Sequence, residues 1–518
     1  MKRYSFSITL CSVLLFFTIL STLTLGSRHF GLTWDEGIYF QFADSIQNWI
    51  RVGVPLDEHS LHQFWAYDVY ANPHPAFMKI ISSLFEIPSH NLIPYPESYR
   101  FGHFLYFSAG IATVFFLLSE VFGILRSALA VFLILIQPRF FGELLVATTD
   151  APVAIDWILI CLFGWKIART KDAGGPSPLG CWVALVLLCG AATATKFTGF
   201  LAIIPLIGLF LFRKDWRNFG LALLLVPSSL AFLALCSPEN WHTPWIGVWD
   251  YLTYPMRRGD IIKVATYYMG EIFLNSPPWH YFPLMLLVTT PLSILILLIG
   301  LPLIRKDSKE YALFKAMAPF LGIWIVFGFS PATPKHDGLR QFASFLPFVG
   351  IVAWLGLTSF WDRFVIGCRP ALKHILLSSL LLLGASGLLN LAQSHPFEFS
   401  YYNELIGGIP GAEKKGFELT YYLEVVNEEV LQWINRTAKP GEVLRMLPDY
   451  PPYLESYQNH GLLRKDIRVS NFGTVKSGDL MILVRRRHIV NDQRYASAVP
   501  LYERSYDGVS LVKVLRLP

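Results

Sequence analysis

Charge is scarce in this chain. Asp, Glu, Lys and Arg make up 15% of its 518 residues, against 53% hydrophobic and 15% aromatic, and the mean hydropathy is +0.44. A soluble protein carries about 25% charged residues, so this scarcity excludes one and leaves a polytopic membrane protein. Cysteine is scarce too. Cys11, Cys161, Cys181, Cys189, Cys236 and Cys368 lie in or beside apolar runs, form no CxxC pair and are absent from the polar C-terminal region. They read as small hydrophobes, and neither a disulfide framework nor a zinc site is indicated. There is no P-loop, no HExxH and no GxSxG elbow, which argues against NTPase, zinc-protease and serine-hydrolase chemistry. The formal net charge of +6 does not point to nucleic acid, because Lys and Arg recur in short clusters between apolar runs, where membrane topology explains them.

The apolar runs are what the chain has in abundance. Lys2-Arg3 precede a run from Tyr4 to Leu25, longer than the apolar core of a cleavable signal, which predicts a retained first span with a cytoplasmic N-terminus. Further runs cover Phe101 to Ser119, a stretch after Arg126 interrupted at Pro138-Arg139 and Glu143, and a span that starts at Ala151. Then come Leu179 to Thr193, Phe197 to Phe212, Phe219 to Cys236, Phe282 to Ile304, Met317 to Phe329, Phe342 to Phe360 and Ile375 to Leu391. The expectation is about eleven transmembrane helices. Basic clusters at Arg126, Lys166 to Lys171, Arg213 to Arg217, Arg305 to Lys315 and Arg363 to Lys373 fall in alternate loops, which assigns those loops to the cytoplasm and the C-terminus to the outside. The transmembrane module is expected over 1–392, with long outer loops at 27–100 and 237–280. Beyond it, 393–518 has the composition of a small soluble α/β domain, with a helix expected over Glu424 to Asn435 and strands at Val443 to Leu447, Leu480 to Val484 and Val509 to Leu515.

The first outer loop opens on Thr33-Trp34-Asp35-Glu36. From Asp35 to Arg51, apolar residues at Ile38, Phe42, Ile46, Trp49 and Ile50 recur at a spacing of three and four, which predicts an interfacial helix with Thr33 as its cap and the acidic pair in its first turn. Asp150, at the head of the fourth span, is assigned to the same side. It also suits a plain helix cap, because Ala151-Pro152 follow it. A later outer loop, Ser330 to Arg340, carries Lys335, His336 and Arg340, and basic residues at such an edge can clamp a phosphate. His336 reads as a solvated loop histidine. An acid can deprotonate an acceptor hydroxyl or amine while cations hold and stabilise a phosphate leaving group.

Several short motifs occur in a telling order: Trp34-Asp35-Glu36-Gly37-Ile38-Tyr39, then Asn72-Pro73-His74-Pro75-Ala76-Phe77-Met78-Lys79, Arg100, Thr149-Asp150, Lys196-Phe197-Thr198-Gly199, and Arg340-Gln341-Phe342 with Pro347. Over about the first 360 residues this order resembles the protein O-mannosyltransferase and aminoarabinose transferase superfamily of GT-C membrane glycosyltransferases. The resemblance implies an α-helical polytopic membrane protein of GT-C type with a small extracytoplasmic α/β domain. It implies a polyprenyl-phosphate-linked sugar as donor, an acceptor that is a protein, lipid or glycan, and an inverting single displacement on the outer face. By the same resemblance Asp35 is the general base and Glu36 supports it or contacts the acceptor. Lys79, Arg100, Lys196 and Arg340 are candidates for the donor phosphate, and His74, Asp150 and His336 for acceptor or loop roles. Neither a cofactor nor a metal is indicated beyond the donor itself. His74-Pro75-Ala76 stands where the family more usually has His-Pro-Pro, and Arg340 is followed directly by Gln341-Phe342, which departs from the family pattern. Lys79 and Arg100 equally suit basic side chains snorkelling from span ends. A transporter or flippase, or a non-catalytic binder of lipid-linked sugar, is the alternative. The C-terminal Arg516-Leu517-Pro518 carries no retrieval signal, which suits a prokaryotic plasma membrane.

Overall fold

The computed structural model describes residues 2–52, 76–89, 92–261, 264–274, 276–367, 369–470, 477–486 and 499–516. Among them, seven helices are long and apolar enough to cross a membrane, or nine if each sharply bent helix pair is one span. The chain is an integral multi-pass membrane protein. The shorter apolar helices Leu179–Thr193 and Phe197–Phe212 account for the other two expected runs.

Two spans are broken, and each break has a local cause. Ile124–Leu135 meets Pro138–Leu144 at 87°, where Pro138 starts a new helix after an extended Gln137. The run from Phe282 to Ile304, expected as one span, is instead Tyr281–Thr289 and Leu292–Leu303 bent by 111°. Pro291 lacks an amide donor and drives the residue before it out of the helical region, and Thr290 is accordingly extended.

Burial ranks the spans by position. Arg340–Val365 and Asp150–Asp172 are 94% and 89% buried over their apolar windows, whereas Ser5–His29 and Pro370–Ser394 are 17% and 6% buried. The first pair forms the centre of the bundle and the second lies at its rim. Close approach at the centre depends on residues without side chains: a Cβ on Gly350 would meet the Ile134 and Leu133 backbone at 2.8–2.9 Å. Both central helices begin with a candidate site residue, Asp150 in one and Arg340 in the other.

The helix Glu36–Val52 follows the acidic pair. It turns Phe40, Phe42, Ala43 and Ile46 inward and packs on Phe77–Ser89. Within the long second loop, the helix Pro244–Ile261 is followed by a hairpin of Thr266–Tyr268 and Glu271–Phe273.

The C-terminal region forms a five-stranded sheet in the order Arg468–Val469, Val443–Leu447, Leu480–Val484, Val509–Arg516, Tyr502–Tyr506. The first three strands are parallel and the last two pairings antiparallel. Leu480–Val484 is buried along its whole length, as a central strand covered on both faces must be. The expected helix is present as Glu428–Thr437. This domain is seated on the bundle through main-chain groups: Gly31 N donates to Glu424 O at 2.8 Å, and Leu32 N donates to the Tyr457 hydroxyl at 2.6 Å.

Candidate active site

The acidic pair divides its two members between two environments. Thr33 and Glu36 form a reciprocal capping box: Thr33 N donates to Glu36 Oε2 at 2.8 Å and Glu36 N to Thr33 Oγ1 at 3.4 Å. The Glu36 carboxylate then receives Arg100 in a two-pronged ion pair, Nε to Oε1 at 2.7 Å and Nη2 to Oε2 at 2.8 Å. Ala147 N adds a further bond to Oε1 at 2.7 Å. Arg100 spends its remaining donors on Gly31 O at 2.7 Å and Ser27 Oγ at 3.0 Å. Both side chains are 0% exposed.

This corrects two expectations for Arg100: it is sealed and engaged by Glu36, Ser27 and Gly31, so it is neither open to a donor phosphate nor a snorkelling residue. Of the two roles expected for Glu36, the geometry agrees with support of Asp35, for Glu36 ties the loop 27–36 to the span Glu97–Phe122 and to the backbone ahead of Asp150.

Asp35 turns the other way. Its carboxylate, 28% exposed, accepts from Arg340 Nη2. Arg340 also donates through Nε to Asp150 Oδ2 at 3.0 Å, and its Nη1 lies 3.5 Å from Asp337 Oδ2. The other Asp150 oxygen accepts from Lys196 Nζ, which also reaches Gln341 Oε1 at 3.3 Å. Asp150 therefore spends its side chain on two cations, and the helix cap is Thr149, which makes no side-chain bond to the helix. Lys196 is held on an extended backbone just before the helix Phe197–Phe200 and is 23% exposed. The Arg340 guanidinium lies on the Tyr422 ring, 4.8 Å from its centre. Tyr422 in turn donates to Glu143 Oε1 at 3.1 Å.

The structure thus brings Asp35, Asp150, Lys196 and Arg340 into one network. Lys79 sits apart in an aromatic cradle, its Nζ 4.1 Å from the centre of the Phe42 ring and 5.2 Å from that of Tyr39. Tyr39 belongs to the turn whose amide bonds to Asp35 O at 3.0 Å. His336 is buried rather than solvated, its Nε2 lying 3.0 Å from Gln341 Nε2. His74 lies outside the described residues.

Three members of the site were not singled out by sequence reasoning: Asp337, Tyr422 and Arg486. Asp337-Gly338 is a turn dipeptide, and both residues have positive φ, 56° and 65°. Side-chain amides and Asp tolerate such backbone, so the turn was readable although its role was not. Arg486 belongs to a basic run after an apolar strand, visible as charge but not as a partner of anything in the membrane module.

Chemically, a partly exposed carboxylate stands against two cations held by a second carboxylate. Such an array can accept a proton on one side and bind an anion on the other.

The model of the dolichyl-phosphate-mannose-protein mannosyltransferase family matches residues 76–242. Among solved structures, ArnT from Cupriavidus metallidurans bound to undecaprenyl phosphate is similar to the chain at a TM-score of 0.53 and 14% identity, covering 97% of each chain. The apo form of that protein gives 0.51 and 15%, again over 97% of each chain. No curated protein sequence matches significantly. The shared fold extends over 97% of the chain, and the mannosyltransferase model falls on the segment that carries Arg100, Asp150 and Lys196, so the chain has a GT-C-type fold and is similar to that mannosyltransferase family over this segment.

Proposed function

We propose that the chain is a glycosyltransferase that moves a sugar from a polyprenyl-phosphate-linked donor to an acceptor at the membrane face shared by Asp35 and the C-terminal domain. The observation that carries this reading is the single network in which a part-exposed carboxylate, Asp35, stands beside Arg340 and Lys196. The printed ligand of the similar ArnT structure, undecaprenyl phosphate, supports a donor of this chemistry. The positive-inside distribution of Lys and Arg supports an outward-facing site.

The geometry suits a single displacement. The donor phosphate competes with Asp35 and Asp150 for Arg340 and Lys196, and as Arg340 turns to the phosphate the Asp35 carboxylate is released. An acceptor hydroxyl or amine attacks the anomeric carbon from the side opposite the phosphate and its proton passes to Asp35. The bond between that carbon and the phosphate oxygen breaks, and the electron pair leaves with polyprenyl phosphate. Inversion results from the single displacement. Arg340 and Lys196 stabilise the charge gained by the leaving phosphate, while Asp150 and the Tyr422 ring keep both cations in place before the donor arrives.

Transfer from a panel of radiolabelled polyprenyl-phosphate sugars into membrane acceptors, comparing wild type with Asp35→Asn at matched expression, tests the reading. Loss of transfer by about 10²–10⁴-fold with donor binding retained is the expected result. Equal transfer by both proteins removes Asp35 from the role of base. No transfer by wild type from any donor, where a relative is active, favours a transporter or a non-catalytic binder.

A further inference from the structure

The C-terminal domain reaches into this network through one side chain. Arg486 follows the central strand Leu480–Val484, and its backbone is fixed there: Arg485 N continues the ladder to Leu511 O at 2.8 Å, and Arg486 N folds back on Val484 O at 2.7 Å. The side chain leaves the sheet and is 5% exposed. Its Nη1 donates to Tyr421 O at 2.8 Å and its Nη2 to Asp337 Oδ1. The guanidinium lies 5.4 Å from the centre of the Trp34 ring, and Trp34 is the residue before Asp35.

Asp337 is therefore a carboxylate shared by two guanidinium groups, with Arg486 on Oδ1 and Arg340 near Oδ2 at 3.5 Å. Arg340 is also tied to the same residue by its amide, which donates to Asp337 O at 3.2 Å. The turn has no room to drift. A Cβ on Gly338 would meet Arg139 Nη1 at 2.6 Å and the Tyr421 ring at 3.1 Å. With Arg486 removed, one oxygen of a buried carboxylate loses its partner and competes harder for Arg340. Trp34 loses the cation on its face at the same time.

We propose that Arg486 is a positioning residue for the transfer site, acting through Asp337 on Arg340 and through Trp34 on Asp35, so that the C-terminal domain is part of the active site. The proposal rests on the glycosyltransferase reading. It assigns Arg486 no contact with substrate.

Two measurements on the full-length protein in detergent or proteoliposomes test it. The first is a kinetic double-mutant cycle with Arg486→Gln and Asp337→Asn, assayed with undecaprenyl-phosphate sugars. Each single variant is expected to lose about 10–100-fold in kcat, the loss of one charge-assisted hydrogen bond, with donor KM within about threefold. The double variant is expected within about twofold of the worse single, because both remove the same link. Multiplying losses, or an unchanged kcat in Arg486→Gln, overturn the proposal. The second measurement needs no substrate. Amide hydrogen exchange over 337–341 is expected to quicken by about tenfold in Arg486→Gln while the strands Val443–Leu447 and Leu480–Val484 stay protected. Unchanged exchange over 337–341 in the folded variant overturns the proposal. Should Arg486→Gln fail to fold, Arg486→Lys, which keeps the charge but not the fork, takes its place under the same criteria. Wild type that transfers nothing from any donor defeats the underlying reading instead, and is thereby told apart from failure of the Arg486 link.

Discussion

Two clusters of opposite charge lie side by side in this molecule, built from adjacent residues of one tetrapeptide. Glu36 with Arg100 is closed: both are at 0% exposure and each is saturated with hydrogen bonds. Asp35 with Arg340 is open at one edge, with Asp35 at 28% exposure, and its cations are shared among Asp35, Asp150 and Asp337. A closed ion pair cannot change partners without leaving a bare charge in a dry interior. An open one can. The difference teaches which cluster builds the loop and which one is able to work.

The most severe way to break the comparison is to remove Arg100. Arg100→Gln leaves Glu36 buried without its cation, a loss of about 3–5 kcal/mol, and the protein is expected to lose its folded, monodisperse form in detergent. Asp35→Asn, in contrast, is expected to keep its melting temperature within about 2 °C of wild type, since Arg340 retains Asp150 and Asp337 as partners when Asp35 loses its charge. Thermal unfolding of the two purified variants decides the matter. If Asp35→Asn melts as early as Arg100→Gln, the distinction between a building and a working cluster is wrong.

The next effect lies within the open cluster. Arg340→Gln is expected to lower transfer by about 10²–10³-fold, as removal of a preorganised donor at developing charge does. Lys196→Gln keeps Arg340 in place and is expected to raise donor KM by about tenfold with a smaller loss in kcat, the signature of lost phosphate binding. Steady-state kinetics with one polyprenyl-phosphate donor separate the two. Identical behaviour of both variants implies one shared role in place of the division drawn here.

What the sequence reveals of this arrangement depends on the range of each interaction. The Thr33–Glu36 box lies three residues apart and the break at Pro138 is set by one residue, so both are readable locally. The strands Val443–Leu447 and Leu480–Val484 are apolar runs, and the structure has them at those limits. The strand Tyr502–Tyr506 is not readable this way. It is an edge strand of alternating exposure, and Glu503, Arg504 and Ser505 give it the look of a loop. Pro291 shows why hydropathy alone predicts the eighth run as one straight span, for the average counts its apolar neighbours and misses its missing amide. At the site, the residue types were visible but their pairing was not. Arg100 at a span end looks like a phosphate ligand until Ser27, Gly31 and Glu36 close around it, and the Arg486–Asp337 contact joins residues 149 positions apart. No period or spacing carries such a contact. Tertiary packing alone decides it.

A third carboxylate sharpens the comparison with the smallest effect. Glu424 is as buried as Glu36, yet neither of its oxygens has a hydrogen-bond partner among the described residues. Burial pushes its carboxyl from the ordinary 4.5 up to about 8, opposed by the residue's own amide and by Arg486, with the nearby Glu398 and Glu36 adding to the rise. In the unfolded chain this group ionises near 4.5, and in the fold only near 8. Between those values unfolding releases a proton, so the contribution of Glu424 is fully present below the lower value and is lost as pH rises through the upper one. Glu424→Gln stays neutral throughout. Its melting temperature is expected to match wild type at the acid end and to exceed it by about 2–4 °C at pH 8. Parallel melting curves for the two proteins across that window would mean that Glu424 has a partner which holds it ionised. Glu424 would then belong with Glu36 as a second saturated acid.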